Sequence, residues 1–222
     1  MRTTAAERER VRAPRRRPRR SQEDRTERSR AQILAAALKL FSRYGYHGTS
    51  VRDIAEAARA STGNVYHHFS DKEAIFNALI EQYLVAISSP EHPFNRALIA
   101  GVFPDDLDAM ARAARASIEE YRDYAVLVYV DVVEFEGAHL NRMYGEMADR
   151  FRAFLAQHGS TLRLDRLRDG VSPLTAIMVV TRFFIQYFAV EVAFRVPNHF
   201  GKDSAEAIKD IVDVLKFGIL KP

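Results

Sequence analysis

Between Thr49 and Phe76 the chain opens three helices in quick succession, each behind a small hydroxyl residue, and few folds accommodate that rhythm. Ser50 precedes Val51, Ile54, Ala55 and Ala58 on one face, and Asp53 stands three residues on in a capping-box arrangement. Ser61 precedes a second short helix, Thr62 to His68, and Ser70 with Glu73 forms another capping box for a helix running to about Ile87. Upstream, Ile33, Leu34, Ala37, Leu38, Phe41 and Tyr44 recur at helical spacing over about 26–44, and Gly45 supplies a left-handed stop. Val51, Ile54, Ala55, Ala58, Val65 and Phe69 are the apolar positions that hold the two short helices against this first one. Thr62, Gly63, Asn64, Tyr66, His67 and His68 are then left facing outward.

The remainder reads as helix throughout. Ser88, Ser89, Pro90 and Pro93 break the chain, and helical patterns follow at about 105–120, 124–136, 138–157, 173–195 and 204–219. Tyr129 to Phe135 holds β-branched residues, but Asp131 and Glu134 break strand alternation, so the expected class is all-α. The apolar run Ala176 to Phe194 approaches the ~20 residues that span a bilayer. It carries Arg182 and Glu191, each costing ~2.5 kcal/mol or more at a membrane centre, so a buried helix or a subunit interface is expected there.

Charge is distributed unevenly. Residues 1–30 hold twelve Arg against five Asp and Glu, a net of +7 in a chain whose total is +4, which leaves residues 31–222 at −3. A local excess of this kind points to a polyanion met near the N-terminus. Residues 1–25, with Pro14, Pro18 and almost no apolar side chain, are expected to be a disordered Arg-rich tail. No apolar core follows Arg15, Arg16, Arg17, Arg19 and Arg20, so the tail does not read as a secretion signal. The absence of cysteine excludes disulfides and thiolate-ligated zinc and fits a cytoplasmic protein.

Two short helices joined by a three- to four-residue turn, the second opening on small polar residues, place a helix in the DNA major groove. The segment ILAAALKLFSRYGYHGTSVRDIAEAA (33–58) followed by STGNVYHHFSDKEAIFNALI (61–80) resembles the DNA-binding domain of the TetR family of bacterial transcriptional regulators. The match covers about 55 residues of the 222. The resemblance implies that Thr62, Gly63 and Asn64 approach base edges and that Arg52 reaches a base or an adjacent phosphate. Ser50, Tyr66, His67, His68 and Lys72 would contact the backbone of double-stranded DNA. One departure stands out: Arg59-Ala60 occupies the turn where the family carries Gly-Val, and an arginine forced to positive φ costs about 1 kcal/mol. The Arg-rich tail either enters the adjacent minor groove or adds only salt-dependent, sequence-independent affinity.

For the rest of the chain the resemblance implies a dimerisation and effector-binding domain at 73–222, after a DNA-binding domain at 26–72. Ile177, Val180, Phe184, Tyr187, Phe188, Ile211 and Leu215 are the candidates for a homodimer interface, with a packed monomer core as the alternative. Tyr121, Tyr124, Glu134, His139, Arg142, Met143 and Met147 are the candidates for lining a pocket for a small, largely apolar effector. The mechanism expected is release of a repressor from a palindromic operator when the effector favours a splayed arrangement of the two reading heads.

Other classes carry less. Glu136-x-x-His139 is half of a carboxylate-bridged di-iron motif, but the second half is missing and Gly137 interrupts it. His67 and His68 are neighbours that point apart, so no chelating pair forms and no metal or cofactor is expected. No phosphate loop or nucleophile elbow is present. An enzyme built on Asp131, Glu134 and His139 is the remote alternative, and a nonspecific DNA binder driven by the Arg tail is the nearer one.

Overall fold

The computed structural model describes residues 22–101 and 103–220, so the Arg-rich segment before Gln22 and its minor-groove question lie outside the described residues. Among them the chain forms ten α-helices and no strand. These are α1 (Gln22–Tyr44), α2 (Val51–Ala57), α3 (Thr62–His68), α4 (Lys72–Ser88), α5 (Pro93–Ile99), α6 (Leu107–Glu120), α7 (Arg122–Glu134), α8 (Asn141–His158), α9 (Pro173–Phe188) and α10 (Ser204–Ile219). The expected all-α class is therefore the observed one.

The hydroxyl residues set the helix starts much as the spacing predicts. Ser50 Oγ accepts the Asp53 amide at 3.2 Å while the Asp53 carboxylate accepts the Ser50 amide at 2.9 Å, a reciprocal capping box. Ser61 Oγ accepts from the Asn64 amide at 3.1 Å and starts α3. The third cap is a correction: Asp71, not Ser70, receives the Ala74 amide and opens α4. A carboxylate one residue later caps more strongly, because it also meets the positive end of the helix dipole.

Three boundaries also differ. α1 begins at Gln22, inside the stretch expected to be tail, because Glu23 and Asp24 in its first turn suit a helix start that apolar counting does not register. Pro93, expected as a breaker, is the first residue of α5, where its missing N–H costs nothing. The long pattern at 173–195 ends as an α-helix at Phe188 and continues as a π-helical turn over Ala189–Ala193.

Two apolar cores result. The first joins Ile33, Ala37 and Phe41 of α1, Ile54 of α2, Val65 of α3 and Ile75, Phe76 and Leu79 of α4. Leu127 of α7 with Leu140 and Met143 around α8 close the same cluster, so the N-terminal helices are packed onto the C-terminal half without a break. The second core lies between α6 and α9, with Phe94 and Leu98 of α5 and Ile211 of α10.

That second core takes up the stripe named as an interface candidate, as the alternative of a packed monomer core has it. Ile177, Val180 and Phe184 are fully buried, and Tyr187, Phe188 and Ile211 nearly so, within a single chain. Leu215 packs against the same cluster. A helix stripe this apolar was needed to bury the chain's own α6. Pro173–Ala193 is long and apolar enough to cross a membrane by length and composition, yet these same residues make it a core helix here.

Candidate nucleic-acid interface

α3 is held from beneath and left open above. Val65 and Phe69 are buried in the first core, while Thr62, Gly63, Tyr66 and His67 are exposed, Tyr66 to 56%. A methyl group added at Gly63 would meet only the Ser61 hydroxyl, at an unstrained 3.8 Å, so the fold does not require glycine there. What glycine provides is clearance on the outward face, the property a helix needs to approach base edges closely.

α1 fixes the angle of α3. Ser29 Oγ donates to Asn64 Oδ1 at 2.8 Å, and the Arg30 guanidinium lies 5.1 Å from the Phe69 ring centroid. Asn64 is expected at base edges, and nothing in the sequence marks Ser29 as its support; the bond occupies the Asn64 carbonyl oxygen and leaves its amide nitrogen outside this contact. Arg25, Arg28 and Arg30 stand exposed on the first turns of α1, so part of the basic charge is carried on a helix. The only advance signal was that charge bias.

His68 is half-buried against Phe69 and His67. Burial holds its imidazole below the usual histidine range, with His67 and Arg30 adding to the shift. Arg52 is exposed on α2. The Ser50 hydroxyl is engaged with Asp53 at 2.6 Å, which leaves its backbone surroundings rather than a free hydroxyl for a phosphate.

Lys72, expected at the DNA backbone, is engaged within the fold. Its ammonium donates to the carbonyls of Tyr46 and Thr49 at 2.8 and 2.9 Å and sits 4.1 Å from the Tyr46 ring centroid. It clasps the α1–α2 loop through two carbonyls and a ring face. The other side of that loop is held by Glu134 of α7. Its carboxylate accepts the amides of Tyr46 at 3.0 Å and His47 at 2.6 Å. Gly45, at φ +76°, lies so close that a Cβ there would collide with the Glu134 carboxylate.

The turn between α2 and α3 adopts the strain the sequence foretold. Arg59 has φ +54°, and the Ala60 and Arg59 amides return to the carbonyls of Ala55 and Glu56 at 2.9 and 3.0 Å, the Schellman pattern. The turn therefore keeps its glycine geometry with an arginine in it.

Of the seven residues expected to line an effector pocket, Tyr121 and Tyr124 come together around Tyr83, 6.4 Å between their ring centroids, and the others described make separate contacts. Tyr124 stacks on Tyr83 at 5.5 Å and donates to Gln82, and burial pushes the Tyr83 phenol up to about 12. Tyr121 packs against His92. Glu134 holds the α1–α2 loop, His139 pairs with fully buried Asp131 at 2.5 Å, and Met143 belongs to the first core. Met147 is partly buried on α8, and the Arg142 side chain lies outside the described residues. Aromatic residues at helical spacing filled the packing between α4 and α7, as such stripes usually do. A groove of about 700 Å³ lies elsewhere, between α1, α7 and the π-helical turn, and none of the seven lines it.

Such a helical pair, capped, buried on one face, open on the other and seated on a third helix, defines a helix-turn-helix protein. Residues 33–79 match the bacterial regulatory proteins of the tetR family. The chain is 36% identical over 92 residues to the HTH-type transcriptional regulator RutR of Escherichia coli strain K12, a match covering 41% of each protein. It is 42% identical over 59 residues to the HTH-type transcriptional repressor AcnR of Corynebacterium glutamicum, 27% of this chain and 31% of that one. The chain thus spans less than half the length of these curated relatives. Over the whole fold it is similar to a putative TetR-family regulator from Mesorhizobium loti, with TM-score 0.60, 22% identity and coverage of 89% and 99% of the two chains. NalD of Pseudomonas aeruginosa, the secondary repressor of the MexAB-OprM multidrug efflux pump, gives TM-score 0.58 at 21% identity, over 88% and 98%. The likeness to the TetR family therefore lies in residues 33–79, that family's DNA-binding domain, and the rest of the chain shares the fold alone.

Proposed function

We propose that the protein is a transcriptional repressor that binds an inverted-repeat operator as a homodimer in the cytoplasm and leaves it when an effector binds. The single observation that carries the DNA-binding part is α3: Thr62, Gly63, Tyr66 and His67 exposed on a helix whose opposite face is locked by Val65 and Phe69. The names of RutR and AcnR, a regulator and a repressor, support the direction of control.

An inverted-repeat operator calls for a dimer, since two recognition helices about 34 Å apart would read successive major-groove faces. The surface suited to it is not the stripe expected from sequence. Val179 and Phe183 on α9 and Val214 and Phe217 on α10 remain exposed, Phe217 to 83%, and large apolar side chains left in water on long helices favour a partner.

Capture of genomic fragments by the full chain, followed by a reporter driven from the captured fragment, tests the reading. Reporter output falls when the protein is co-expressed and stays high with Tyr66→Ala. A reporter that rises instead overturns repression, and capture of random fragments overturns specific binding.

A further inference from the structure

We propose that the groove between α1, α7 and the π-helical turn is a binding site for an organic anion carrying a flat apolar group. Its walls bring together Lys39 and Arg43 of α1, Arg122 of α7 and Arg195 just beyond the π-helical turn, against the single carboxylate of Asp123. Residues 31–222 carry a net charge of −3, so a gathering of four cations here runs against the composition of the chain around it. Among the described residues Lys39, Arg43 and Arg195 make no ion pair, and Arg43 rests only on the Tyr44 ring, 5.2 Å from its centroid. A cleft walled by one sign of charge concentrates counter-ions of the other.

The positions are built as well as charged. Arg122 donates to the carbonyls of Val192 and Ala193 at 3.1 and 3.3 Å, which anchors the π-helical turn to α7 and leaves Nη1 beside Asp123 at 3.9 Å. Arg195 is held at φ +61°, a conformation that costs a non-glycine residue about 1 kcal/mol and that places it at the rim of the groove. Val126, Ala193 and Phe194 supply the apolar side, with Phe194 40% exposed and braced edge-on by Tyr129 at 4.5 Å. Cations on one wall and an aromatic face on another select a carboxylate or sulfonate joined to a ring system, and about 700 Å³ holds one of two fused rings.

Because α1 supports the recognition helix and the other walls belong to the C-terminal half, an occupant that prefers one angle between them shifts DNA affinity. This regulatory consequence rests on the proposed repressor function; the anion site itself does not.

The test is a calorimetric titration of the full chain in about 150 mM salt, where loose surface charge is screened, with 2-naphthoate, 2-naphthalenemethanol and inorganic phosphate. One naphthoate per chain is expected to bind, with the neutral alcohol and phosphate each about tenfold weaker or more. Arg195→Gln loses about tenfold while Arg195→Lys keeps most of the affinity, and Arg43→Gln serves as the second variant if the first fails to fold. Absent saturation, equal binding of the alcohol or of phosphate, or naphthoate affinity unchanged in both glutamine variants overturns the site. So does a loss of duplex affinity in those variants with naphthoate binding intact, which assigns the cations to DNA phosphates. Naphthoate bound without any change in duplex affinity overturns the regulatory consequence and leaves the anion site standing.

Discussion

Single residues carry the sharpest consequences. Gly63 has room for a methyl group inside the fold, so Gly63→Ala is expected to keep its melting temperature while losing about tenfold or more in DNA affinity, as an added methyl spoils base-edge approach. Arg59→Gly removes the φ +54° strain and should raise stability by about 1 kcal/mol, some 2–4 °C in melting temperature for a chain of this size. The strain at Arg59 was legible in the sequence because a single departure from Gly-Val marked it. The role of Lys72 in the fold was not, since nothing in its spacing reveals that it meets the carbonyls of Tyr46 and Thr49. His92 adds a pH dependence. Its ring is buried beside Tyr121 with Nδ1 unpartnered, and burial holds its pKa below the usual value, Glu120 opposing. The folded state thus binds fewer protons than the unfolded one, so this contribution is complete above about pH 6.5 and is lost as pH falls toward the lowered value. Thermal melts from pH 7.5 to 5 should show a shallower loss in His92→Phe than in the wild type, and equal slopes would refute the assignment.

At the scale of elements, caps and apolar faces were readable and the contacts between distant helices were not. Ser50 and Ser61 announce α2 and α3 locally, and the cap of α4 was misplaced by one residue because Ser70 and Asp71 are both good caps. The clasp of the α1–α2 loop by Glu134 joins groups 87 and 88 residues apart, a separation no periodicity encodes. It is also the polar link between the reading head and α7. Glu134→Ala is expected to destabilise by about 1–3 kcal/mol through two unsatisfied amides and to speed hydrogen exchange at Tyr46 and His47. Glu134→Gln keeps one acceptor, so only one of the two amides should remain protected. Unchanged exchange at both amides in Glu134→Ala would contradict the clasp.

The molecule as a whole is a reading head fused through a shared core to a helical body, and apolar content alone could not separate its core from its outer face. Ile177 and Phe183 lie on the same helix with similar hydrophobicity, yet one is fully buried and the other 37% exposed. Which stripe turns inward depends on where α6 docks. Ile177→Glu should therefore abolish folding, whereas Phe217→Glu should fold, sediment as a monomer and lose most of its operator affinity. A dimeric Phe217→Glu with full affinity would move the interface elsewhere. The central claim, a paired recognition helix reading a symmetric sequence, is tested most directly by selecting bound duplexes from a random pool at about 150 mM salt, where nonspecific phosphate binding is already weakened. The account predicts an inverted repeat recovered by the wild type and lost in Gly63→Ala. Enrichment of nothing beyond A·T content would contradict it and leave an electrostatic, nonspecific DNA binder.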